Sequence, residues 1–394
     1  MGAINSVEAG SNRINSLDTL RGIVMMLMAL DHVRDFWCPT GFSASNLALT
    51  WPELFMTRWI THFCAPVFIF LAGVGVWFYQ SNRKASAGEV SRFLLSRGIW
   101  LIFLELTIIN FFWQFGYDHI KFGVIWAIGC SMIILALLVY LPRAVLIAVV
   151  VVSIFGHNLL DGLNPADFGE FGWLWRVLHV PGFFSFSDGP GVSTIKVIYP
   201  LIPWFGVIGL GYLMGPLFQR PRAEREPLLI FLGAGAVILF IVLRAFNLYG
   251  DPVPWSTQPR GDIFTVLSFI NVTKYPVSLL YLLLALGPVL MLLPLLERWT
   301  GAARNVVVTF GKVPFFYYIL HLPLIHVTAL IWKLAVFGVD FSGAAGPNQF
   351  PPTYHPSLIL CYSVWLLTIM VLYRPCLRFA RYKAANKAWW LSYF

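Results

Sequence analysis

Residues 16–36 read SLDTLRGIVMMLMALDHVRDF, an apolar run that carries Asp18, Arg21, Asp31, His32, Arg34 and Asp35. An α-helix turns 100° per residue, so the eleven steps from Arg21 to His32 make about three turns. Both side chains then share one face, roughly 16 Å apart along the axis. Asp18, Met25, Met28 and Asp35 fall near the same stripe. An imidazole flanked by the Asp31 and Asp35 carboxylates is suited to general-base work: a carboxylate fixes the tautomer, orients the ring and raises its basicity. The plainer reading of His32 is a hydrogen-bonded core histidine. For Asp18 the plainer reading is local. Asn15 can cap the helix, which puts Asp18 in the first turn where the dipole favours a carboxylate, with Arg21 as its i,i+3 partner.

Other polar residues interrupt apolar runs. Glu105 lies mid-run in IFLELTIIN with Asn110 five residues on, an interhelical hydrogen bond or a buried functional carboxylate. His321 and His326 are five apart, 500° of helical turn, which makes a poor metal pair. No metal is expected. Lys274, beside Asn271 and Pro276, suits two readings: a snorkelling ammonium, or a group that binds an anionic or acyl oxygen.

These residues need helices in lipid to position them. The chain has 394 residues, 58% hydrophobic and 11% charged. A soluble domain of this size is about a quarter charged. Apolar runs of about 20 residues recur throughout, which predicts an all-α polytopic membrane bundle, one transmembrane domain over 1–374 with a basic cytoplasmic tail at 375–394. About ten spans are expected: 17–37, 58–80, 93–113, 123–140, 143–160, 199–218, 228–246, 275–296, 306–333 and 357–374, with 263–272 a possible re-entrant stretch. No cleavable signal peptide is evident, so the first helix should stay as a span. Alternate connections with both termini carry fourteen Lys/Arg against five on the opposite side, counted over the named spans. Both termini therefore face the cytoplasm, and the net charge of +9 belongs to this topology rather than to nucleic acid. A charge facing lipid is costly, so the stripe of the first helix must face the bundle interior. The five cysteines have no metal-like or disulfide-like spacing and read as packing residues. The connection 161–198 is rich in Gly, Pro, Asp and aromatics, an interfacial belt or a platform for sugar rings.

The R-x10-H spacing of Arg21 and His32 resembles the signature of the acyltransferase 3 family. The wider set RINSLDTLRGIVMMLMALDH, HFCAPVFIFLAG (62–73), YPLIPWFGVIGLGYLMG (199–215), TKYPVSLLYLL (273–283) and GKVPFFYYILHLPLIH (311–326) is more specifically similar to bacterial members of the heparan-alpha-glucosaminide N-acetyltransferase catalytic-domain family. The resemblance implies an enzyme of the bacterial cytoplasmic membrane. It would move an acetyl or other acyl group from cytoplasmic acyl-CoA, its co-substrate, to a sugar or glycan on the outer side. His32 matches the presumed base or acyl acceptor, with Asp31 and Asp35 beside it. Arg21 matches its partner arginine, placed with Asp18 to meet the acyl-CoA. His321 resembles a C-terminal feature of acyltransferase 3 proteins and, with His62, Glu105, Asn110 and Lys274, is a candidate for lining the cavity. The heparan enzyme has asparagine where His32 stands and a catalytic histidine in its first outer loop. Residues 38–57 hold no histidine here, and His62 is the nearest. Transfer to oxygen and to nitrogen both stay open. A transporter or flippase for a lipid or glycan is the alternative, and would show matched broken helices in two halves. PVFIFLAGVG (66–75) and PWFGVIGLG (203–211) are only loosely alike, as small residues at helix contacts would also make them. A catalytically inactive scaffold is a third reading.

Overall fold

The computed structural model describes residues 15–117, 119–185, 194–338, 350–351 and 354–393. They form a mostly helical chain. Helix α1 spans Asn15–Trp37. Helix α2 (Pro52–Trp59) passes through one tight turn into α3 (Cys64–Arg83). Helix α4 (Ala87–Leu104) continues through a π-helical turn, Glu105–Ile109, into α5 (Asn110–Gln114). Next come strand β1 (His119–Phe122), α6 (Val124–Leu138), α7 (Arg143–Phe155), α8 (Gly172–Leu178), β2 (Gly182–Phe184) and β3 (Thr194–Val197). The second half holds α9 (Trp204–Gln219), α10 (Arg222–Ala245), α11 (Asp262–Ile270), α12 (Leu279–Arg298), α13 (Ala302–Lys312), α14 (Pro314–Phe337) and α15 (Leu358–Ala385).

Among the described residues six helical stretches are long and apolar enough to cross a membrane: Pro52–Arg83, Ala87–Gln114, Arg222–Ala245, Leu279–Arg298, Pro314–Phe337 and Leu358–Ala385. They mark the chain as an integral membrane protein. Helix α1 is not among them, because charges stand at both ends of its apolar middle. It is instead enclosed by protein. Val33 and Phe36 are fully buried, and the helix packs against α3, α12, α13, α14 and α15.

Several boundaries differ from the sequence reading. The stretch 306–333 is two helices, because Pro314 has no amide hydrogen to give and forces Val313 out of helical backbone. The last helix does not stop at 374; α15 runs on to Ala385. A short turn at Trp389–Tyr393 then brings Tyr393 onto Trp100 and Arg97. Asn15 is already helical rather than a cap, its carbonyl accepting from the Thr19 hydroxyl. Most of the stretch 263–272 belongs to α11, which ends at Ile270 and whose last turn is held by Arg244. A small sheet was not expected at all: β1 pairs parallel with β3, and β2 antiparallel with β3. Its strands β2 and β3 lie in the aromatic connection, of which 186–193 fall outside the described residues, and β1 comes from the turn before α6.

Close helix contacts rest on glycine. A Cβ at Gly73 would come within 1.9 Å of the Ile208 carbonyl oxygen, and one at Gly211 within 2.0 Å of the Phe70 carbonyl oxygen. The two loosely similar stretches are therefore the packing faces of α3 and α9 against each other. Gly22 and Gly311 bring α1 and α13 together in the same way.

Candidate functional site

His32 stands near the C-terminal end of α1, buried, with the edge of Trp113 4.9 Å away and that of Tyr318 6.4 Å away between ring centroids. Its Nδ1 lies 2.7 Å from Nε2 of His321 on α14, the two rings 13° from parallel with centroids 4.8 Å apart. Nδ1 of His321 lies 3.1 Å from the Tyr317 carbonyl oxygen. A carbonyl only accepts. His321 therefore donates from Nδ1, and its Nε2 is an acceptor. His32 must then carry its proton on Nδ1 and donate it to His321. The lone pair of His32 sits on Nε2, to which no described residue hydrogen-bonds.

The two aspartates do not orient this ring, contrary to the triad arrangement expected from sequence. The Arg58 guanidinium donates to both oxygens of Asp31 at 3.0 Å, and Arg34 donates to Asp31 at 3.0 Å and to Asp35 at 2.7 Å. The reason is helical geometry together with charge. Asp31 points about 100° away from its neighbour His32, and a guanidinium presents paired donors that match a carboxylate better than one imidazole N–H does. Asp31 and Asp35 thus form an ion cluster beside His32 and carry no hydrogen bond to it.

Lys274 joins this cluster from the segment between α11 and α12. It is buried, and its charge acts on Asp31, His32 and His62. His62, just before α3, is buried with its carbonyl accepting from the Tyr281 hydroxyl at 2.7 Å, and its ring meets Tyr281 edge-on. Tyr275 donates to the Tyr199 hydroxyl at 3.2 Å nearby. The structure therefore gathers His32, Asp31, Asp35, His62, Lys274 and His321.

The other candidates lie elsewhere or do other work. Asp18 and Arg21 pair at 2.8 Å, as i,i+3 spacing allows, and Arg21 also donates to the Gly311 carbonyl at 3.2 Å. They sit at the opposite end of α1 from His32. Both ends of the stripe face one broken helix: Arg21 meets the end of α13, and His32 meets α14. Glu105 accepts from the Gly123 amide at 3.0 Å, at the start of α6, where the helix dipole favours a carboxylate. Asn110 donates to the Glu105 and Lys121 carbonyls and accepts from the Lys121 amide, which stitches the π-helical turn to β1. These bonds tie Asn110 and one oxygen of Glu105 to the local backbone, while Oε2 of Glu105 is buried without a hydrogen-bond partner.

Sequence reasoning missed Arg34 and Arg58 as the partners of the aspartates, and Trp113, Tyr317 and Tyr318 as the surroundings of the histidine pair. Arg58 carried a signal: it lies in TRWITH, an ionisable residue at the start of an apolar run. The aromatics carried none among 34 Phe, 16 Trp and 15 Tyr.

The family model described as heparan-alpha-glucosaminide N-acetyltransferase, catalytic, matches residues 13–243. That is more than half of the chain and takes in α1 with Arg21 and His32, Arg58, His62 and the α3–α9 contact; Lys274 and His321 lie beyond it. No curated protein matches the chain. With a match over more than half of its length, the chain belongs to the heparan-alpha-glucosaminide N-acetyltransferase catalytic family.

Proposed function

We propose that the protein transfers an acetyl or other acyl group from acyl-CoA to a sugar or glycan, with His32 as the general base. The observation that carries this reading is the proton order along Tyr317, His321 and His32, which leaves a lone pair on Nε2 of His32. A neutral imidazole with a defined tautomer and a bare nitrogen is what a base needs. His32 Nε2 accepts the proton of the acceptor's hydroxyl or amine as that atom attacks the thioester carbonyl. The new bond to the acyl carbon forms, the carbon–sulfur bond breaks, and His32 returns the proton to the departing thiolate. His321 holds the ring through both transfers. Arg21, about three helical turns away on the same face, is placed to meet the phosphate-bearing end of the acyl donor. Because the donor supplies a long flexible arm, base and anchor at opposite ends of one helix suit it.

In this reading α1, α6, α7 and α9 cross the membrane together with the six long stretches, which makes ten spans with both termini on the cytoplasmic side of a bacterial inner membrane. His32 then lies near the outer face and Arg21 near the inner one.

The test uses the full chain in nanodiscs with radiolabelled acetyl-CoA and no acceptor. Wild type should release CoA together with labelled acetate, as water takes the place of the acceptor's hydroxyl. His32→Gln should lose about 10²–10⁴-fold in rate while its thermal midpoint stays near that of wild type. Label retained on wild type would show an acyl-histidine intermediate in place of direct transfer. No release and no binding by folded wild type, with acetyl-CoA and longer acyl-CoAs alike, would sink the acyltransferase and favour the transporter.

A further inference from the structure

Lys274 is 8% exposed, and among the described residues no carboxylate forms an ion pair with it. Its ammonium rests 5.3 Å from the centre of the Tyr275 ring. The charges around it already satisfy one another: Asp31 and Asp35 are held by Arg34 and Arg58. Arg34 and Arg58 match Asp31 and Asp35 one for one, so Lys274 is a further cation near His32, as Lys121 is near Asp35. A snorkelling lysine extends its head to water. This one is held among side chains with little of its surface exposed, and among the described residues its ammonium has no ion-pair partner.

The backbone on both sides of Lys274 is locked. Asp251 accepts from the Thr273 amide at 2.8 Å, the Thr273 hydroxyl at 2.7 Å and the Ser278 hydroxyl at 3.0 Å. The buried Arg244 donates to the carbonyls of Ser268, Phe269 and Asn271, at 2.9 to 3.0 Å. Trp59 donates to the Ile270 carbonyl, and Asn271 to the Ser45 carbonyl, both at 3.1 Å. All of this fixes residues 268–278 and leaves the lysine head out of the network. A rigid support under one unpaired functional group is how a preorganised binding site is built.

We propose that Lys274 is an anion-binding group beside His32 and takes a single carboxylate-like oxyanion. Two sources share that chemistry. One is the acyl oxygen, on which negative charge develops as the acceptor attacks; the other is a carboxylate on the acceptor. The first source rests on the acyl-transfer reading, whereas anion binding itself does not.

The probe is sodium acetate. The thermal midpoint of the full chain in detergent is measured in acetate against sodium chloride at equal ionic strength, for wild type, Lys274→Arg and Lys274→Gln. Acetate should raise the midpoint of wild type and Lys274→Arg and leave Lys274→Gln unmoved. Equal responses of wild type and Lys274→Gln overturn the proposal. If Lys274→Gln does not fold, wild type alone decides: acetate should slow labelling of Lys274 by an amine-reactive reagent, read by peptide mass spectrometry, and unaltered labelling overturns it. CoA release from acetyl-CoA without acceptor then separates the sources. A fall of about 10²-fold in kcat for Lys274→Gln at unchanged KM assigns the acyl oxygen. Unchanged kcat assigns the acceptor carboxylate. An acetate shift in wild type that never releases CoA keeps the anion site and defeats the acyl-transfer reading.

Discussion

At the scale of residues, the site turns on which neighbour His32 uses. The sequence offered Asp31 and Asp35, adjacent in number and rich in charge. The structure chose His321, 289 positions away, because α14 brings its Nε2 to within 2.7 Å of the His32 Nδ1, with the two rings 13° from parallel. The chemical result is close to that of a carboxylate partner in one respect: Nδ1 is held by an acceptor and Nε2 keeps its lone pair. It differs in charge, since neutral His321 adds no negative field. The tautomer argument predicts a graded series. His321→Leu removes the acceptor for Nδ1 and should lower turnover by about 10²–10⁴-fold. His321→Gln offers an amide oxygen to the same Nδ1–H and should restore much of the loss. A merely structural histidine would show equal losses in both variants. Nitrogen-15 spectra of labelled histidine check the same point without turnover, with Nδ1 of His32 protonated in wild type and the tautomers mixed in His321→Leu.

At the scale of elements, the stripe on α1 was legible because helical periodicity is fixed by backbone hydrogen bonding. Arg21 and His32 do share a face, and it is turned toward the α13–α14 pair. The break in that pair was missed even though Pro314 stands in the sequence, since several other prolines here lie inside continuous helices, Pro288 and Pro323 among them. Glu105 shows the limit in another way. A mid-helix carboxylate is a functional candidate by default, and only the fold reveals that it meets the start of α6 across a π-helical turn. The packing of α3 on α9 gives a direct prediction. Gly73→Ala places a methyl group 1.9 Å from a carbonyl oxygen that belongs to a helix and cannot step aside. The variant should lose about 3 kcal/mol or fail to fold, read as a lower thermal midpoint in detergent. Gly75→Ala two residues on, where nothing lies within 4 Å, should change little.

At the scale of the whole molecule, the ten-span topology makes a labelling prediction. Cys38, Cys64, Cys361 and Cys376 are buried and Cys130 is half-buried, so an introduced surface thiol reads against a quiet background. Thiols placed at Ser86 and Lys387 should react with an impermeant reagent only after the membrane is opened, and one at Ser45 should react in intact cells; the reverse pattern inverts the molecule. The sequence by itself determined that the chain is a bundle in lipid, that the polar stripe of its first helix faces inward, and which family it resembles. The first two follow from composition and helical period, which act along the chain, and the third from the quoted motifs. Only the tertiary structure decided which polar groups pair. It gave the aspartates to Arg34 and Arg58, gave His32 to His321, tied Asn110 and one oxygen of Glu105 to the local backbone, and left Lys274 without a carboxylate of its own. Those outcomes depend on which helices are neighbours and on competition among donors for few acceptors, and neither quantity is written in the spacing of residues.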